Sequence, residues 1–168
     1  MGMSFKQVAE YTKSRFGLPM EIDEIMNEWN RMAEEKYAFE VQMKPDAEAF
    51  LKLLQSQGIH MAICTSNSRM LVDRCLKRLK IDQFMDVVLT ADEVSNGKPA
   101  PDIYLTAARI IGVRPEECVV FEDVLAGIES GHNAGMRVCA VRDNATMYAD
   151  DIKKRNSEYY INSYSELL

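Results

Sequence analysis

Apolar residues recur at two different spacings along this chain, and the change from one to the other near Pro45 divides it. Before Pro45, Phe5, Val8, Ala9 and Tyr11 start one stripe; Ile22, Ile25, Met26, Trp29 and Met32 form a second. Both follow the three-to-four-residue spacing of a helix face. Gly17 and Pro19 break them apart, so SFKQVAEYTKSRFG and EIDEIMNEWNRMAEEKYAFEV predict a helical hairpin with one apolar face. No strand pattern occurs in this section, and nothing in it points to chemistry.

After Pro45, helices alternate with short apolar runs. DAEAFLKLLQSQG predicts a helix closed by Gly58, and IHMAIC a strand running into Thr65-Ser66-Asn67. The helical RMLVDRCLKRLK follows, then the strand DVVLT, a polar loop with Gly97-Lys98-Pro99, and the helix DIYLTAARIIG. CVVF leads into Glu122-Asp123 and the helical AGIESGHNAG; RVCAV, a short charged helix around residues 150–154, and EYYIN complete the order. Short strands alternating with helices predict βαβ units and a parallel sheet flanked by helices, the α/β class of Rossmann-like folds. There is no internal repeat.

Composition narrows this picture. At 168 residues the chain is long enough for one real core and too short for two comfortable ones. A net charge of -6 argues against a nucleic-acid partner, because phosphate backbones are bound by basic faces. No run of about 18 apolar residues occurs, so no membrane helix is expected. The opening MGMSFKQVAEYTKSR lacks the apolar stretch of a signal peptide. Cys64, Cys75, Cys118 and Cys139 are scattered without a C-x-x-C pair, which argues against zinc and for a reduced, cytoplasmic protein.

In doubly wound sheets, ligands bind beyond the carboxyl ends of the strands. Thr65, Lys98 and the pair Glu122-Asp123 all fall on that edge. A hydroxyl beside free N–H groups at a helix start suits an anion, and Ser66 and Asn67 extend that set. A lysine supplies a compact positive charge for phosphate. An acidic pair suits magnesium, which takes one or two carboxylates with waters and substrate oxygens. Each has a plainer role: Thr65 or Ser66 as a helix cap, Lys98 as a solvated loop charge, the acidic pair as complement to a helix dipole. Taken together on one edge, they favour a site for phosphate and a divalent metal.

At these residues the chain resembles the haloacid dehalogenase superfamily, in particular its β-phosphoglucomutase-like phosphatases with a helical cap. Thr65 fits the second family motif, Gly97-Lys98-Pro99-Ala100-Pro101-Asp102 the third, and Phe121-Glu122-Asp123 with Ala126-Gly127-Ile128 and Ala134-Gly135-Met136 the fourth. The resemblance runs from about Pro45 to Val141. It implies a partial helical cap over residues 1–44 and an α/β core over 45–168. It also implies phosphoryl transfer through an aspartyl-phosphate, with Mg2+ as cofactor and a small phosphorylated metabolite, a sugar phosphate above all, as substrate. By the same resemblance Thr65 holds a phosphoryl oxygen, assisted by Ser66 and Asn67. Lys98 bridges nucleophile and phosphoryl group, and Asp123 binds Mg2+ with Glu122 as a second ligand or through water. Val124 and Asp46 stand where many relatives carry serine and glycine.

The resemblance also implies a first strand ending in D-x-D-G-T, with nucleophile and acid/base two residues apart. No two aspartates in this chain stand at i and i+2. Loss of a nucleophile can cost about a millionfold in rate, so the chain alone is expected to be inactive. The absent strand belongs, by the same resemblance, between the strands ending at Thr65 and Phe121, which leaves a gap or two exposed edges there. The chain is therefore expected to be marginally stable or to self-associate through an exposed edge, and the stripe around Trp29 to lack its cover. Three readings follow: a phosphohydrolase whose front end lies upstream of Met1; a non-catalytic phosphate-binding or regulatory module; and a fragment complemented by a separate N-terminal polypeptide.

Overall fold

The computed structural model describes residues 5–168; the expectations attached to Met1 and to the opening residues lie outside that range. Helix α1 (Phe5–Phe16) and helix α2 (Ile22–Glu35) form the leading hairpin, and α2 runs on as a wider turn over Lys36–Glu40. The pair is held by its small and branched residues: Ala9 is fully buried and Ile25 nearly so. Phe5 meets Trp29 edge-on at 5.7 Å, so the Trp29 stripe has partial cover from its own hairpin.

The remaining elements alternate. Helix α3 (Ala47–Ser56) precedes strand β1 (Ala62–Thr65), followed by α4 (Arg69–Leu79), β2 (Val87–Thr90), α5 (Asp102–Ile111) and β3 (Val119–Glu122). Helix α6 (Leu125–Asn133), β4 (Arg137–Val141), α7 (Asp150–Arg155) and β5 (Tyr159–Ile161) follow, with short 3-10 segments in several of the connections and after β5. Every strand pair is parallel. This is the α/β architecture that the alternation predicts.

The sheet is interrupted. Among the described residues β1 pairs with β2 alone, while β3, β4 and β5 form a separate three-stranded sheet in that order. Among the described residues no strand pairing joins β1 to β3. Strands of parallel sheets covered on both faces are normally apolar and buried, yet Ala62 and Val119 are exposed, Val119 to 41%. The interruption falls where the resemblance expects a missing strand.

Helix α5 spans the break. Its Ile103, Tyr104, Ala107 and Ala108 share one buried cluster with Val87 and Leu89 of β2 and with Val120, Val138 and Ala140 across the break. Gly131 of α6 admits this packing, because a β-carbon there would lie 2.7 Å from Val138. The opposite face of the three-stranded sheet is closed by Phe50 of α3, edge-on to Phe121 and stacked on Tyr164, both at 5.4 Å.

Candidate active site

The carboxyl ends of β1 and β3 meet at one side chain. Lys98 lies in the loop after β2, and its ammonium donates to the Cys64 carbonyl of β1 (3.1 Å) and to Glu122 Oε1, the last residue of β3. Both charged side chains are buried, at 7% and 8% exposure. A desolvated charge is tolerated only when paired and hydrogen-bonded, so this contact fixes both groups. Lys98 is thus not the solvated loop charge of the plainer reading.

The Lys98 loop is held from several sides. The Lys98–Pro99 peptide bond is cis. Ser130 Oγ of α6 donates to the Ala100 carbonyl (2.6 Å), and Asn133 Nδ2 to the Pro99 carbonyl (3.0 Å). At the loop's ends, Asp102 Oδ1 accepts from the Asn96 amide N–H (3.2 Å) and side chain (2.9 Å). Asp102 therefore serves as a loop clamp.

Tyr104 of α5 completes the buried cluster. Its hydroxyl donates to Glu122 Oε1 at 2.6 Å, and the Lys98 ammonium lies 4.9 Å from its ring centroid. Glu122 Oε2 accepts the N–H of Asp123 (3.2 Å), with that of Val124 at 3.5 Å. Both Glu122 oxygens are therefore engaged by the protein itself. Burial and the Glu122 charge push the Tyr104 phenol well above its usual range, so it is a neutral donor. Burial likewise pushes the Cys64 thiol up to about 12.

Thr65, Ser66 and Asn67 form the turn out of β1. Thr65 Oγ1 accepts the Asn67 N–H at 3.1 Å. Asn67 Oδ1 accepts the Ser68 N–H (2.8 Å), and its amide donates to the Tyr37 hydroxyl (2.6 Å) in the leading segment. The residue that caps α4 by position is Ser68, whose hydroxyl donates to Asn30 of α2 at 2.9 Å. Thr65 is therefore not the cap of α4.

Asp123, half-buried, stands on the outer side of Glu122. Among the described residues its carboxylate has one cation nearby, Lys44 at 4.0 Å, and Lys44 also pairs with Asp143. Burial, then the neighbouring Glu122, raise its pKa against the opposing pull of Lys44. The Asp123 carbonyl accepts from Thr146 Oγ1 at 2.8 Å. Thr146 is in turn held by Lys153, a fully buried ammonium 3.2 Å from Thr146 Oγ1, 3.3 Å from the Val141 carbonyl and 2.7 Å from Asp150. This strut fixes the Asp123 main chain from the far side of the sheet edge.

No group of three or more His, Cys, Asp or Glu side chains converges among the described residues. Magnesium needs fewer: one or two carboxylates, with waters and substrate oxygens completing the shell. A half-buried carboxylate crowded by two others, and accepting no hydrogen bond from another side chain among the described residues, fits one such ligand position.

The sequence alone gave no reason to single out Tyr104, Lys44, Asp143 or Lys153. Tyr104 reads as one more apolar residue of the α5 stripe, and its hydroxyl direction is set by a strand 18 residues away. Lys44 and Asp143 are 99 residues apart and carry no motif.

A family model described as haloacid dehalogenase-like hydrolase matches residues 1–141. Hexitol phosphatase A of Escherichia coli is 45% identical over 97 residues, which is 58% of this chain and 44% of that protein. The phosphorylated carbohydrates phosphatase of Thermotoga maritima is 35% identical over 131 residues, 73% of this chain and 61% of that one. The chain thus spans less than two thirds of either relative. The crystal structure of CbbY from Rhodobacter sphaeroides in complex with phosphate superposes with a TM-score of 0.81 at 25% identity, over 89% of this chain and 67% of that one.

Proposed function

The chain belongs to the haloacid dehalogenase-like hydrolase family, and from that premise we propose that its sheet edge is the phosphate- and magnesium-binding part of a phosphohydrolase for small phosphorylated metabolites. The observation that carries this reading is the buried Lys98 ammonium, fixed between the ends of β1 and β3 by the Cys64 carbonyl and Glu122. A cation immobilised at a sheet edge is preorganised for the charge of a phosphoryl group. The two curated relatives are named as phosphatases of hexitols and of phosphorylated carbohydrates, which favours sugar phosphates as the substrate class.

In this reading the Thr65 hydroxyl and the Ser66 N–H receive phosphoryl oxygens, joined by the Asn67 N–H once it exchanges its bond to Thr65 Oγ1 for the ligand, and Lys98 neutralises the charge that develops there. Asp123 would hold Mg2+, which supplies electrostatic stabilisation of the phosphoryl group. Glu122, with both oxygens engaged, would act on the ion through water. Residues 1–44 form part of a cap that screens the site and 45–168 the catalytic core, in a cytoplasmic setting. These residues do not supply the nucleophile, the acid/base two residues after it or the metal ligand that belongs with them. A strand ending in D-x-D-G-T, seated between β1 and β3, would place its aspartate beside Lys98; without it we expect no turnover.

Titration of isotope-labelled chain with inorganic phosphate and Mg2+ tests the reading. Amide shifts concentrated at residues 65–67 and 98, and at 123 with Mg2+, are expected. Shifts scattered elsewhere, or none at tens of millimolar, would overturn it.

A further inference from the structure

Lys44 immediately precedes Pro45, at the joint between the leading helices and α3. Its ammonium reaches over the sheet edge and lies between two carboxylates from neighbouring strand ends: Asp123 beyond β3 and Asp143 beyond β4. It also lies 3.4 Å from the Arg142 carbonyl. All three side chains are partly exposed, at 35% for Lys44, 39% for Asp123 and 26% for Asp143. The neighbouring charges are otherwise committed. Glu122 is matched by Lys98, and Lys153 pairs with Asp150. Among the described residues Lys44 is thus the cation that pairs with both Asp123 and Asp143.

We propose that Lys44 is an internal competitor for the cation site at Asp123, with Asp143 as the partner that retains its ammonium when a divalent ion arrives. The inference rests on the reading of Asp123 as a metal ligand. A divalent ion on Asp123 and an ammonium 4.0 Å from the same carboxylate oxygen repel strongly. Lys44 must therefore withdraw towards Asp143 for the metal to bind. Because Lys44 sits at the joint, the metal and the leading helices are linked through one side chain: filling the site loosens a contact between that segment and the core.

Equilibrium binding of Mn2+, followed by its electron paramagnetic resonance signal, tests this on the full chain without any turnover. Lys44→Gln keeps a polar side chain of similar reach and removes the charge. It is expected to bind Mn2+ about three- to tenfold more tightly, the weight of one or two partly exposed ion pairs. Lys44→Arg should bind like the parent. Asp143→Asn should weaken Mn2+ binding several-fold by sending Lys44 back to Asp123, and this effect should largely vanish once Lys44→Gln is also present. Unchanged or weaker binding by Lys44→Gln, while Asp123→Asn abolishes binding, overturns the inference and leaves the metal reading intact. Binding that survives Asp123→Asn, or its absence from parent and Lys44→Gln alike, overturns the metal reading and the inference with it.

Discussion

Gly127 in the first turn of α6 lies against the Glu122 carboxylate. A β-carbon added there would lie 2.1 Å from Cδ, 2.2 Å from Oε1 and 2.4 Å from Oε2 of Glu122. The carboxylate would have to move by more than an ångström, and every direction costs a partner, since Lys98, Tyr104 and two backbone N–H groups hold it. Separating one member of a buried ion pair costs about 3–5 kcal/mol. Replacing glycine by alanine inside a helix returns about 1 kcal/mol. Gly127→Ala is therefore expected to destabilise the chain by about 2–4 kcal/mol in urea denaturation. The cause is separable with a double-mutant cycle. When Glu122 is replaced by alanine and Lys98 by methionine, no carboxylate remains to clash and no charge is left unpaired. Gly127→Ala should then be neutral or stabilising by up to about 1 kcal/mol. An unchanged penalty in that background would refute the reasoning and move the cost to helix packing.

Four further outcomes follow from single sites. Tyr104→Phe removes one hydrogen bond to a buried carboxylate but keeps the ring under Lys98, and should cost about 1.5–3 kcal/mol by urea denaturation. Asp46 stands in the left-handed region at φ 61 with no cap hydrogen bond, so Asp46→Gly should raise stability by roughly 0.5–1 kcal/mol in the same assay. With its thiol pushed up to about 12 by burial, Cys64 should resist iodoacetamide at pH 8 in the folded chain, and mass spectrometry should find it alkylated only as the chain unfolds. Asp86, its carboxyl held below the usual range first by the Met61 N–H, contributes stability that is present above its unfolded pKa and lost as pH falls through the lower folded value. Asp86→Ala should thus destabilise at pH 7, and the melting temperatures of the two proteins should converge as pH falls through the lowered folded value.

The alternation of helices and strands was readable because each element after Pro45 buries one face, which writes a period into the sequence. Boundaries were less so. IHMAIC reads as a six-residue strand, yet only Ala62–Thr65 pairs, and Ile59 is 46% exposed. The segment SYSELL closes as a 3-10 turn over Tyr164–Leu167. Thr65, Lys98 and Asp123 could be placed on one edge because each ends or follows a strand of the same parallel set. What pattern could not supply was direction. Whether Lys98 faces water or Glu122 depends on Ser130 and Asn133 holding its loop from a helix some 30 residues downstream. Long-range partners of this kind leave no local signature, and Lys44 between Asp123 and Asp143 is another instance.

The break between β1 and β3 also governs how cooperatively this molecule can unfold. A continuous sheet transmits order through its backbone ladder, so that its strands open together. Here no strand pairing among the described residues couples the two halves; the α5 cluster, the buried bridge from Lys98 to Glu122 and the bonds of Ser130 and Asn133 to the Lys98 loop do so instead. The chain is therefore built as two adjoining folding units, with β1, β2 and α4 in one and β3–β5 in the other, and α5 as the shared wall. The second unit holds Val138 and Ala140, both fully buried, whereas every β1 residue is at least partly exposed. Partial opening is therefore expected to begin on the β1 side, which carries Thr65, and to leave the Asp123 side standing, an order that amide hydrogen exchange would read.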